Sequence, residues 1–365
     1  MTKIKDITQY LESFAPASLQ EDYDNSGLIT GNPQDAVAGI MIALDCTEKV
    51  VDDAEKNGCN LIVAHHPIVF RGLKKLTGKS YIERTIIKSI KKNIAIYAIH
   101  TNLDNVFHGV NHKIAERLQL TDLRVLRPQS GTLCKLTTFI PKKETESVLA
   151  NLHNAGAGMI GDYKNCSFQV EGTGTFLPTD NASPAIGKLN QLEKVQEDRI
   201  EVIFPKYLKS RLLETLFRVH PYEEVAYYVH ELENENSGIG SGMIGTLKEE
   251  MKSDIFLDFV KRQLNTKMIR HTEKVNDTVK KIALCGGAGS FLLQDAISAE
   301  ADVFISGDFK YHEFFDAEGK IMIADVGHYE SEQFTKELIY EKLTENFANI
   351  ALHFTEVITN PIFYA

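Results

Sequence analysis

Between Ile40 and Ala324 the chain repeatedly packs apolar residues into short runs: Ile40–Leu44, Leu61–Ala64, Ile94–Ile99, Lys281–Cys285, Ala301–Ile305 and Ile321–Ala324. A strand with one wet face alternates apolar and polar residues, whereas a strand covered on both faces is apolar nearly throughout. These runs therefore predict buried strands, and helices are needed to cover them. The intervening segments supply those helices. An amphipathic pattern (Ile4, Ile7, Leu11, Phe14) predicts one near the start, followed by Glu48–Asn57, Tyr81–Asn93 and one near Val110–Leu118. The expected fold class is α/β.

Near Pro128 the rhythm changes. "KLTTFIP" reads as a strand and "KETESVLANLHNAGAG" as a helix stopped by glycines. "CSFQVEGTGTFLP" and "DRIEVIFP" alternate as half-buried strands do, "KYLKSRLLETLFRV" reads as a helix and "EEVAYYVHEL" as a last strand. The order β-α-β-β-α-β is that of a ferredoxin-like unit. The polar, glycine-rich "ENENSGIGSGMIG" that follows reads as a hinge. At 365 residues the chain is too long for one simple core. The expected organisation is a discontinuous α/β domain, 1–127 and 238–365, interrupted by an inserted α+β domain at 128–234.

Composition removes several function classes. No apolar run approaches the ~18 residues that span a bilayer, and the amphipathic start lacks the apolar centre of a signal peptide, so a cytoplasmic protein is expected. The five cysteines are scattered and never form C-x-x-C, which suggests neither a disulfide framework nor a thiolate metal site. A formal charge of −10 without a Lys/Arg block argues against a nucleic-acid coat.

In open α/β sheets ligands bind beyond the carboxyl ends of the strands. There the chain places His65 and His66 ("LIVAHHP"), His100 and Asp104 ("HTNLD"), and Asp325, His328 and Glu332 ("DVGHYESE"). His328 and Glu332, four apart, share one helix face and can converge. Imidazole and carboxylate donors suit Zn, Mn, Fe or Ni. Neighbouring side chains on an extended backbone point apart, so His65 and His66 are poorly placed to grip one ion. They suit two ions ~3.5–4 Å apart with a bridging carboxylate. Each piece also has a plainer reading: surface histidines, an Asp104 helix cap, a solvated His328–Glu332 pair. "CGGAGS" (Cys285–Ser290) reads either as a phosphate-cradling turn or as a tight turn. Asp24-Asn25-Ser26-Gly27 can form a turn or line the site, and His312 in "KYHEF" is a substrate-binding candidate or a surface residue.

Taken in order, "DYDNSGLITG", "VAHHPIVF", "AIHTNLDNV", "CGGAGS", "SGDFKYHE" and "DVGHYESE" resemble the NIF3-like family of GTP cyclohydrolase 1 type 2 homologs, over roughly residues 1–127 and 238–365. The resemblance implies a NIF3-like two-part α/β core and a site for two divalent metal ions, Zn first and Mn, Fe or Ni as alternatives. It places the ligands on His65, His66, Asp104, His328 and Glu332, with His100 as a further ligand in some members. It also implies a ring-shaped homohexamer. The insert, through "RVHPYEEVAYYV", resembles the PII/CutA-like domain of longer members, whose expected role is to cap or gate the ring.

Two functions follow as expectations. The first is a metal-dependent hydrolase acting on a purine nucleotide such as GTP, with His100, His312 and Glu332 as candidate catalytic groups. The second is a non-catalytic regulatory scaffold with structural metals and an insert that senses a small molecule.

Overall fold

The computed structural model describes residues 1–364 and divides into two compact units, Met1–Arg127 with Ile239 onward, and Pro128–Gly238. The first unit holds two sheets. In one, the order is Gly27–Thr30, Ala95–Ala98, Leu61–Ala64, Ile40–Ala43 and Leu352–Phe354. The last four run parallel, and Gly27–Thr30 is antiparallel to its neighbour. In the other, the order is Arg270–His271, Met322–Asp325, Val303–Gly307, Thr278–Ala288, Asn236–Lys252 and Leu120–Gln129. Its central three strands are parallel.

The all-apolar runs are explained by where alternate residues go. Ile40, Ile42, Leu61 and Val63 enter a large core that also takes Ile4, Ile7 and Leu11 from the first helix and Ile282, Leu284, Val303 and Ile305 from the second sheet. Met41, Ala43, Ile62 and Ala64 enter a separate core under the helices Glu48–Lys56 and Tyr81–Lys91. Ala283, Phe304 and Ile323 face a third core on the far side of the second sheet. Each central strand is thus dry on both faces, and parallel pairing follows from the helical crossovers.

Register then sets the site. Ala43, Ala64 and Ala98 lie opposite one another across the parallel strands, so the residues after them leave the sheet along a single edge. Several features depart from the sequence reading. The hinge expected at "ENENSGIGSGMIG" lies mostly within the Asn236–Lys252 strand, where Met243 pairs with Leu284. Two of its glycines serve close approach: at Gly242, with φ +66°, a Cβ would lie 2.7 Å from Leu292 Cδ1 and 3.0 Å from the Leu284 carbonyl, and at Gly245 one would lie 2.9 Å from the Thr121 carbonyl. The strands Leu120–Gln129 and Leu352–Phe354 were not expected; the second returns to pair in parallel with Ile40–Ala43.

The second unit has the order β-α-β-β-α-β, with strands Leu133–Pro141, Phe168–Phe176, Glu193–Pro205 and Tyr227–Leu232 and helices Thr145–Asn154 and Lys209–Val219. Its sheet order is Phe168–Phe176, Glu193–Pro205, Leu133–Pro141, Tyr227–Leu232, antiparallel throughout. The core lies between one sheet face and the two helices. Phe168–Phe176, expected to be half-buried, is instead mostly exposed along its length, because it is an edge strand whose residues contribute nothing to that core.

Candidate metal centre

The common edge of the first sheet delivers Asp45 after Ile40–Ala43, His65 and His66 after Leu61–Ala64, and His100 after Ala95–Ala98. The short helix Thr101–Asp104 carries Asp104, and the helix His328–Glu332, following Met322–Asp325 of the second sheet, brings His328 and Glu332. Ligand atoms from these residues converge in three groups, each within 4.8 Å: His65 with Asp104 and Glu332, His66 with His328 and Glu332, and His65 with His66 and His100.

His65 is fully buried, and its Nδ1–H donates to the Ile99 carbonyl at 2.8 Å. The opposite nitrogen, Nε2, lies 3.7 Å from Asp104 Oδ1 and 3.9 Å from Glu332 Oε1. Both Nε2 of His65 and Oδ1 of Asp104 are buried without a hydrogen-bond partner among the described residues. Buried polar atoms are nearly always satisfied, so two orphans facing each other fit a site that could hold a cation between them. Burial pushes the His65 imidazole down to about 4, so it presents a lone pair at neutral pH. Burial and the nearby Glu332 charge push the Asp104 carboxyl well above its usual range.

On the other side, His66 Nε2 lies 2.9 Å from Glu332 Oε2 and 3.3 Å from His328 Nε2, and His328 Nε2 lies 3.1 Å from the same Oε2. Burial would lower the His66 pKa, but hydrogen bonds to Asp45 and Glu332 outweigh it and raise it to about 9. At His328 the Glu332 charge and the Asp308 hydrogen bond likewise overcome burial and raise it to about 11. Glu332 is held well below the ordinary carboxylate range, its burial outweighed by the His328 charge and by hydrogen bonds from His328 and His66.

Each histidine is oriented through its second nitrogen. His66 Nδ1 meets Asp45 Oδ1 at 2.7 Å, His100 Nδ1 meets Asp24 Oδ1 at 2.8 Å, and His328 Nδ1 meets Asp308 Oδ2 at 2.8 Å. Carboxylate–histidine pairs of this kind fix tautomer and ring direction in metal sites. Asp24, already singled out in its turn, lines the site; Asp45 and Asp308 were missed. Their only sequence signal is position, since each follows a buried strand as the histidines do.

The expectation that His65 and His66 point fully apart is corrected. Their ring centroids are 4.8 Å apart, tilted by 45°, because the strand has ended at Ala64 and the pleat no longer dictates direction. Asp104 caps no helix; it closes its helical turn. Asp325 stands outside the cluster, paired with Arg270 and accepting from the Phe309 and Gly327 amides. His312 is exposed beside Tyr311 and Phe315, and its nitrogens are not among the converging atoms.

"CGGAGS" is not a phosphate cradle. The amides of Gly286, Gly287 and Gly289 already donate to Asn111, Ser331 and Ser306. Nor is it a tight turn, since Cys285–Ala288 end the Thr278–Ala288 strand; the segment instead makes room for the centre: Gly287 has φ +60°, and a Cβ there would lie 2.4 Å from Glu332 Oε1.

Residues 2–361 match the family model described as Duf34/NIF3 (NGG1p interacting factor 3). A Bacillus subtilis protein named GTP cyclohydrolase 1 type 2 homolog is 39% identical over 361 residues, covering 97% of this chain and 96% of that one. A Staphylococcus epidermidis protein of the same name is 35% identical over 370 residues, 99% and 100% of the two chains. Among solved structures, a Bacillus cereus protein related to NIF3 superposes with a TM-score of 0.88 at 38% identity, covering 100% of this chain and 99% of that one. A Staphylococcus aureus protein gives 0.78 at 30% identity, with the same coverage.

Proposed function

Because the chain belongs to the Duf34/NIF3 family, we propose that the cluster is a binuclear divalent-metal centre and that the protein is a metal-dependent hydrolase acting on a purine nucleotide such as GTP. The observation that carries the metal reading is the division of Glu332. Its Oε1 faces His65 and its Oε2 faces His66 and His328, so one carboxylate is shared by two donor groups. His65 and Asp104 would hold one ion, His66 and His328 the other, and Glu332 both. Nitrogen and carboxylate donors without thiolate suit Zn, Mn, Fe or Ni. When bound, such a pair lowers the pKa of a shared water toward neutrality and polarises an electrophilic centre.

The nucleotide comes from the name that relatives carry, GTP cyclohydrolase 1 type 2 homolog. In such a reaction water adds at C8 of guanine, and ring opening needs a proton. His100 is suited to deliver it: Asp24 fixes its Nδ1, which leaves Nε2 in the group shared with His65 and His66. Phe70, half-exposed with its ring 5.5 Å from that of His100, offers an apolar edge beside the donors.

Metal content and turnover test the two halves separately. His65→Ala and His66→Ala should each remove about one ion per chain, as two ions sharing a bridging ligand require. Unchanged metal content in both variants sinks the binuclear centre. Metal-loaded protein should turn over GTP or another member of a panel of nucleotides and phosphoesters; inertness toward all of them removes the hydrolase half.

A further inference from the structure

Beyond the Leu352–Phe354 strand the chain runs along the metal-bearing edge of the first sheet, tied down by a series of side-chain hydrogen bonds. The Thr355 amide donates to the Ile42 carbonyl at 3.0 Å. Its hydroxyl donates to Asp53 Oδ2 at 2.6 Å, and the Glu356 amide donates to the same oxygen at 3.0 Å. Val357 packs on the core beneath the Glu48–Lys56 helix. Thus anchored, the segment presents Thr359, whose hydroxyl donates to Asp45 Oδ2 at 2.5 Å. Asp45 Oδ1 is the atom that receives His66 Nδ1–H. One residue later Asn360 Nδ2 donates to Glu330 Oε1 at 3.0 Å, and the Tyr364 hydroxyl reaches the same oxygen at 3.2 Å. Glu330 is buried and lies on the helix between His328 and Glu332.

We propose that Thr355–Tyr364 is a positioning strap for the metal centre, holding His66 through Thr359 and Asp45, and the His328–Glu332 helix through Asn360, Tyr364 and Glu330. The inference rests on the metal-centre reading above and adds a role for residues that touch no ligand atom. Its physical basis is the two-oxygen geometry of Asp45. A carboxylate held by one hydrogen bond can swing about χ2, whereas one held at both oxygens fixes the plane into which the imidazole N–H must point. The Thr359 arm acts on His66, whereas the Asn360 and Tyr364 arm acts on the helix that carries both His328 and the shared Glu332; His65 is oriented instead by the backbone carbonyl of Ile99. The Thr359 arm therefore discriminates between the two sides of the centre.

Thr359→Val, which keeps the branched shape and removes the hydroxyl, is the decisive variant, with Thr359→Ser as the rescue. Zinc-loaded protein is mixed with a chromogenic chelator and release is followed in time. Loss of an outer partner of a histidine ligand weakens metal binding about tenfold or more. In Thr359→Val, which leaves Asp45 in place, one ion should leave faster by up to about that factor while the other keeps its wild-type rate, and Thr359→Ser should restore the first. Wild-type release of both ions from Thr359→Val overturns the proposal. A second readout needs no metal. In metal-free protein the ring-nitrogen resonances of His66 should move in Thr359→Val while those of His65 stay in place, and unmoved His66 resonances also overturn it. Should the wild-type protein hold no zinc, the metal centre falls, while the His66 resonances still decide whether the strap orients that ring.

Discussion

His65 carries a lone pair rather than a proton at neutral pH, whereas His66 and His328 hold protons against the shared Glu332. A cation entering this cluster must displace those protons, because only unprotonated nitrogen binds it. Metal affinity should therefore rise as pH is raised from about 6.5 to about 9, where His66 releases its proton. Isothermal titration in buffers of different ionisation heat should show proton release on binding, and pH-independent affinity would contradict the protonated cluster. In the metal-free protein the sign reverses. The raised pKa values of His66 and His328 contribute stability that is present below about 6.5 and is lost as pH rises through about 9 and then about 11. The depressed value of His65 contributes stability present above about 6.5 and lost as pH falls toward about 4. Thermal melts of metal-free protein should accordingly decline on both sides of neutrality. The donors themselves were legible in the sequence because each follows a buried run. Asp45 and Asp308 were not, since the pairs they form join residues 21 and 20 positions apart that follow different strands, with no local spacing to mark them.

Strands such as Leu61–Ala64 were legible to the residue, because a run that is dry on both faces can hardly be anything else. The glycine-rich strands were not. Glycines at "ENENSGIGSGMIG" and "CGGAGS" look like punctuation in a sequence, yet both segments lie largely in ladders. Their small size admits a neighbour, and which neighbour is a tertiary fact. The Thr278–Ala288 strand shows this most clearly: its register against Val303–Gly307 shifts between Leu284 and Ala288, and Gly287 lies in that irregularity with Glu332 against it. Gly287→Ala should cost about 1–2 kcal/mol for the left-handed backbone alone. The larger effect is displacement of Glu332 Oε1, which the new Cβ would meet at 2.4 Å. Because that oxygen faces His65, the variant should lose metal from the His65 side first. Chemical denaturation and metal content per chain measure the two effects, and a variant with full metal content would show that Glu332 can move without losing its role.

At the scale of the whole molecule, the expectation still to be tested is a ring of six chains. The inserted unit supplies a reason for self-association in its own sheet. Among the described residues Phe168–Phe176 is paired only to Glu193–Pro205, and it exposes Phe168 and Val170 at 64% and 48%. An exposed edge strand with apolar side chains is a template for another strand unless charge or proline blocks it. No proline lies within Phe168–Phe176, and Glu171 is its one charged residue. Phe168→Glu with Val170→Glu places two further carboxylates on this edge, which lies outside the unit that holds the metal donors. If the edge is an assembly surface, light scattering should show the wild type at six chains and the double variant at fewer. Zinc per chain and the His65-dependent ion should be unchanged, because no donor comes from the insert. A monomeric wild type would remove the ring; a hexameric double variant would move the assembly surface off this strand. Loss of zinc together with loss of assembly would mean that the centre draws on neighbouring chains, which the gathering of donors from this one chain around Glu332 argues against.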